Sequence, residues 1–133
     1  VHLEMDSSVD VMVSHDLIDN IEVEFMEQMG IHLVVHYDPV ALNDERVNDL
    51  KNRINGIVSE ISSEYSSPIS FHDFRVVFGV THINIIFDVA ITHEMPLSDI
   101  DIVNLIKESV KKNIGKEYNV VITVDRDYTT TRY

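Results

Sequence analysis

Six residues recur at one fixed spacing. Leu17, Ile18, Ile21, Phe25, Met29 and Gly30 are answered 85 positions later by Ile102, Val103, Ile106, Val110, Ile114 and Gly115. Two residues further out of step, the block Val34 to Asp38 is answered by Val121 to Asp125. Self-similarity of this kind restricts the fold strongly, because each copy must be one supersecondary unit that packs in the same way. The repeated block is an apolar helical stripe closed by a glycine in the C′ position. The spacing predicts helices over Val9–Met29 and Asp99–Ile114, and a third, unrepeated one over Asp44–Ser62, whose stripe is Val47, Leu50, Ile54, Ile57, Val58 and Ile61. Ser98-x-x-Asp101 resembles a capping box, with Asp where Glu or Gln is usual.

Runs rich in β-branched residues separate the helices and read as strands: Val1–Met5, Ile31–Tyr37, Ser70–Phe78, His82–Ile91 and Tyr118–Val124. Gly79-Val80-Thr81 suggests a hairpin. The order is β-α-β, then α-β-β-α-β, an α+β arrangement with helices on one sheet face. Residues 1–39 read as the last three elements (βαβ) of a first module, and residues 40–133 as a complete second αββαβ module. The full copy spans 43–126, and Pro39 to Asn43 connects the two. A βαβ crossover sets its two strands parallel. The tail from Asp127, with Thr129-Thr130-Thr131, carries no core pattern. The chain starts at Val1 inside a strand-like run, without Met or a signal peptide, and so reads as an excised piece of something longer.

Charge narrows the functions. Ten Lys and Arg stand against 23 Asp and Glu, a formal net charge of −13. Repulsion from phosphate argues against nucleic acid and anionic membrane surfaces. The same acidity attracts cations, and equally serves solubility. No cysteine is present, so a bound metal must use His, Asp, Glu or backbone oxygen. No apolar run approaches the roughly 20 residues needed to span a bilayer.

Seven histidines lie in this acidic chain. His32, Val34, His36 and Asp38 alternate along one predicted strand and share a face, in steps of about 7 Å. His15 lies roughly 80° from the centre of its helix stripe, with Asp19 and Glu22 continuing that flank at i+4 and i+7. His2 stands on the strand before that helix. If both strands belong to one sheet, His2, His36 and Asp38 converge. Imidazole and carboxylate together suit a borderline divalent ion such as Zn²⁺. Solvated histidines on an acidic surface give the same pattern, and Asp38-Pro39 also reads as a plain strand end. Other chemistry finds no signature. With four glycines there is no phosphate loop, and neither G-x-S-x-G nor H-E-x-x-H occurs.

At His2-Leu3-Glu4-Met5, Ser14-His15-Asp16 and His36-Tyr37-Asp38-Pro39, and more loosely at His72-Asp73-Phe74-Arg75, the chain resembles the C-terminal cytoplasmic domain of cation diffusion facilitator (cation efflux) transporters. The resemblance covers nearly the whole chain. It implies a ferredoxin-like, metallochaperone-like domain that forms a homodimer on the cytoplasmic side of a cell-membrane transporter, attached to its transmembrane part. It implies no enzyme activity, and a regulatory role in the efflux of Zn²⁺, or of Mn²⁺, Fe²⁺, Co²⁺ or Cd²⁺. By the same resemblance His2, His15, His36, Asp38 and His72 match liganding positions. In the second module Phe87, Ile100 and Thr123 fall where His2, His15 and His36 would be. That module is therefore expected to keep the fold without the metal. A metal-blind dimerisation domain and a small-molecule-sensing ferredoxin-like regulatory domain are the alternatives.

Overall fold

Alternation and helical stripes build two compact units, Val1–Leu42 and a second beginning at Asn43, in a computed structural model that describes residues 1–127. The predicted tail with Thr129-Thr130-Thr131 lies outside the described residues. Both units are α+β, with three helices and two small sheets among the described residues.

The first unit is β1 (His2–Asp6), α1 (Val11–Met29) and β2 (His36–Val40). Asp10 caps α1, its side chain accepting from the Met12 N–H, and Gly30 ends it at φ 67°. That left-handed value is one that glycine adopts without a Cβ penalty. The glycine N–H donates to Met26 O at 3.0 Å. β1 and β2 are parallel, with His2 opposite His36 and Glu4 opposite Asp38.

The β2 strand lies later than Ile31–Tyr37. Residues 30–35 are irregular, so His32 precedes the strand, while Pro39 and Val40, expected as connector, belong to it. The ladder explains why proline is tolerated. The His36 N–H donates to Val1 O and the Ser7 N–H to Val40 O. In a parallel pair alternate residues face the partner, so the even residues of β2 point at β1 and Pro39, lacking an N–H, points away.

The second unit is α2 (Glu45–Glu64), β3 (Ile69–Phe78), β4 (Ile83–Thr92), α3 (Asp99–Asn113) and β5 (Tyr118–Asp127). β4 is central, antiparallel to β3 and parallel to β5. Alternate residues of β4, Ile85, Phe87, Val89 and Ile91, are buried with Ile54, Ile57 and Ile61 of α2 and Ile102, Ile106 and Val110 of α3 in one cluster. Both helices therefore cover the same sheet face. On β3 the core-facing positions are Ile69, Phe71, Phe74, Val76 and Phe78, a period of two with one extra residue. A bulge between His72 and Arg75 supplies it, with Asp73 at φ 53°, a value Asp tolerates better than most residues. Phe71 and Phe74 thereby both reach Phe87, with ring centroids 6.0 and 6.2 Å away.

Arg126 on β5 holds the loop between β4 and α3. Its guanidinium donates to Thr92 O, Met95 O and Leu97 O and pairs with Asp99 at 2.8 Å. Ser98 caps α3 as expected: its hydroxyl accepts from the Asp101 N–H and donates to the Asp101 carboxylate at 2.6 Å.

Burial is distributed unevenly. Of the buried apolar residues described, only Val40 lies in the first unit; the others form the second unit's core. Leu17 and Ile102 hold the same place in the repeat, yet Leu17 is 46% exposed and Ile102 0%. Truncating Ile102 to Ala should cost about 2–5 kcal/mol, as for other fully buried aliphatic residues. Leu17→Ala should change stability by less than about 0.5 kcal/mol. Chemical denaturation of the two variants measures this, and equal losses would contradict the packing described.

Candidate metal centre

Period-two geometry places the histidines of the first unit. His2 and Glu4 on β1 share a face with His36 and Asp38 on β2, while Leu3, Met5 and Tyr37 take the other. That second face is half-buried and the histidine face is open.

Asp38 sits between two imidazoles. His2 Nδ1 is 2.8 Å from Asp38 Oδ2, and His36 Nδ1 is 3.2 Å from Asp38 Oδ1. The rings themselves approach to 4.9 Å between centroids. With a proton on each Nδ1 both contacts are hydrogen bonds to the carboxylate, and each Nε2 keeps its lone pair. The His2 and His36 side chains are 69% and 71% exposed, the Asp38 side chain 21%. One donor atom from each residue lies within 4.8 Å of the others, the one such group of three among the described residues. Two nitrogens and one carboxylate oxygen are a donor set that Zn²⁺ and its neighbours accept, and three protein ligands leave a position for a fourth group. The same carboxylate can instead orient imidazoles that bind through Nε2.

The other sequence-derived residues lie elsewhere. His15 is exposed on α1 and outside the cluster. His32 is exposed in the irregular segment before β2. His72 belongs to the second unit, where its Nε2 is 3.0 Å from Ser70 Oγ.

Strand register corrects the comparison between the two modules. Thr123, the counterpart of His36, lies opposite Asp88, not Phe87. His2 lies opposite His36, so its counterpart is Asp88. Phe87 is a core residue on the other face. A slip of one residue reverses the face of every side chain in a strand, and the helical spacing of 85 conceals that slip because the strand repeats at 86. His72, Asp88 and Thr123 thus form one row across β3, β4 and β5, the second unit's counterpart in the repeat of the His2–His36 row. Alternation of apolar residues at 85, 87, 89 and 91 is the signal that assigns Asp88 to this row. Threonine is not a useful Zn²⁺ donor, so this row offers fewer metal-capable side chains than His2, His36 and Asp38 do.

No family model, curated protein or solved structure matches the chain.

The two imidazoles that Asp38 contacts are largely exposed, so these contacts add little to folding. Asp38→Ala should alter stability by no more than about 1 kcal/mol, while shifting the ring nitrogen resonances of both His2 and His36. Shifts confined to one histidine would show that the carboxylate does not bridge the pair.

Proposed function

We propose that the chain is a metal-responsive regulatory and dimerisation domain of a divalent-cation efflux transporter of the cation diffusion facilitator kind, acting on the cytoplasmic side of a cell membrane. The observation that carries this reading is the convergence of His2, His36 and Asp38 from two strands 30 residues apart onto one open face. The H-x-D-P and Ser-His-Asp motifs around them add the resemblance to that family. The αββαβ order of the second unit suits a ferredoxin-like or metallochaperone-like module. No described helix is long and apolar enough to cross a membrane, so transport itself would belong to another part of the protein.

In this reading a divalent cation, Zn²⁺ by preference, is the signal. It binds the two imidazoles and the carboxylate, offsets the repulsion among acidic groups, and favours a closed homodimer. Binding to that state alone stabilises it by RT ln(1 + [L]/Kd), about 2.7 kcal/mol at a hundredfold excess over Kd. That free energy is what biases the transport helices. The second unit acts as scaffold.

One observation favours a second reading, small-molecule sensing. A cavity of about 430 Å³ at the end of α3 is lined by three lysines, Lys107, Lys111 and Lys116, against two carboxylates, Glu108 and Glu117, a slight local excess of positive charge in an acidic chain. It suits a small anion.

Calorimetric titration with ZnCl₂ tests the metal reading. Micromolar binding is expected, weakened at least tenfold by His2→Ala or His36→Ala and retained in His72→Ala. Absence of binding at micromolar zinc, or unchanged binding in His36→Ala, would overturn it. Sedimentation with and without EDTA separates the metal-blind alternative, for which the dimer is indifferent to chelator.

A further inference from the structure

We infer that the second unit carries a binding site for a small amphipathic cation, an organic ammonium or guanidinium on an apolar body, in the cleft between the start of α2 and the end of the sheet. The site lies in the other unit from His2, His36 and Asp38 and uses no metal.

The strands build its floor. Phe78 on β3 lies opposite Ile83 on β4, and Ile83 lies opposite Tyr118 on β5. All three face the core side of the sheet, yet they are only half-buried. Neighbouring strands are about 4.8 Å apart, so the two aromatic residues stand about 10 Å apart across the isoleucine. The next core row, Val76, Ile85 and Val120, is buried, and it ends the cleft on the inner side. Leu50, buried on α2, closes the back. With Arg46 at the mouth, these side chains line a cavity of about 470 Å³.

The chain itself shows what this floor accepts. The Arg46 guanidinium lies over the Phe78 ring, 3.9 Å from its centroid. The negative face of an aromatic ring attracts a cation placed there. That guanidinium is held from the outside, where its Nε and Nη2 donate to Asp44 Oδ1 and Oδ2 at 3.0 and 2.6 Å. Its side chain is 67% exposed. An ion pair so open to water contributes little, so a soluble cation displaces it readily. Arg46 stands at the mouth of the cleft as a surrogate ligand.

Charge sets the sign of the true one. Asp44 neutralises Arg46, and Asp49 pairs with Arg53 at 3.1 Å. Glu45 also lines the cavity and has no ion-pair partner among the described residues. One unmatched negative charge therefore stands beside an apolar, aromatic floor. Amides at a helix N-terminus attract anions, but here the Asp44 carboxylate already accepts the Arg46 N–H. The apolar body of the ligand fills the space between Phe78 and Tyr118, and its cationic head faces Glu45.

The probe is 2-phenylethylammonium, with 2-phenylethanol and 3-phenylpropionate as neutral and anionic probes of similar body. Titrations use the whole chain in EDTA, so the outcome is independent of metal binding. They follow the ring resonances of Phe78 and Tyr118. A sub-millimolar Kd is expected for the cation, and at least tenfold weaker binding for the other two probes. Glu45→Gln should weaken binding of the cation at least threefold. Arg46→Ala should strengthen it at least threefold, because the competing guanidinium is gone. Both positions are exposed, so the fold tolerates these changes. Phe78→Leu should weaken binding at least tenfold. Absence of binding at about 10 mM cation, equal binding of the three probes, or unchanged binding in Glu45→Gln would overturn the inference. So would tighter binding of 3-phenylpropionate that is lost in Arg46→Ala, since Arg46 would then be a clamp for anions.

Discussion

The buried row on β4 is what the second unit depends on. Ile85, Phe87, Val89 and Ile91 present one unbroken apolar face, and both α2 and α3 close on it. Each such side chain removed from water contributes on the order of 1.5–3 kcal/mol. Everything else in that unit accommodates this row. The bulge on β3 exists so that Phe71 and Phe74 both reach it, at the cost of a left-handed Asp73. Arg126 ties down the loop that lets the chain leave β4 and return as α3.

The first unit has the same strand–helix–strand path without the same burial. Its helix is well capped at both ends, yet Ser14 is the one fully buried residue on it. Packing against two short strands covers only part of the stripe that the repeat preserves. A site made of exposed histidines sits easily here, because nothing in a dense core competes for those strands. The pair of imidazoles around Asp38 draws its geometry from the parallel register of two five-residue strands, a short-range constraint that needs no large core.

Much of the fold was legible. Helical periodicity located all three helices to within about two residues, and Gly30 and Ser98 marked a stop and a start by known capping chemistry. The hairpin at residues 79–81 followed from its glycine and the flanking β-branched runs. The start of β2 was not legible. Ile31 to Val35 alternate as well as a real strand, but no neighbour pairs with them, and Glu22 on α1 instead accepts the Val35 N–H at 2.8 Å. Proline 39 looked like a strand terminator because sequence alone cannot say which edge its missing donor faces.

Composition, periodicity and the repeat determined that this is an acidic α+β chain with two related halves, and that His2, His36 and Asp38 belong to strands flanking one helix. Those properties are local, being set by residue type and by spacing along the chain. Tertiary structure alone decided that β1 and β2 pair in the register that sets His2 opposite His36 with Asp38 between them. It alone decided that the second unit's counterpart of His2 is Asp88 and not Phe87. Register depends on which faces are buried and which backbone groups find partners, and both are properties of strands already side by side.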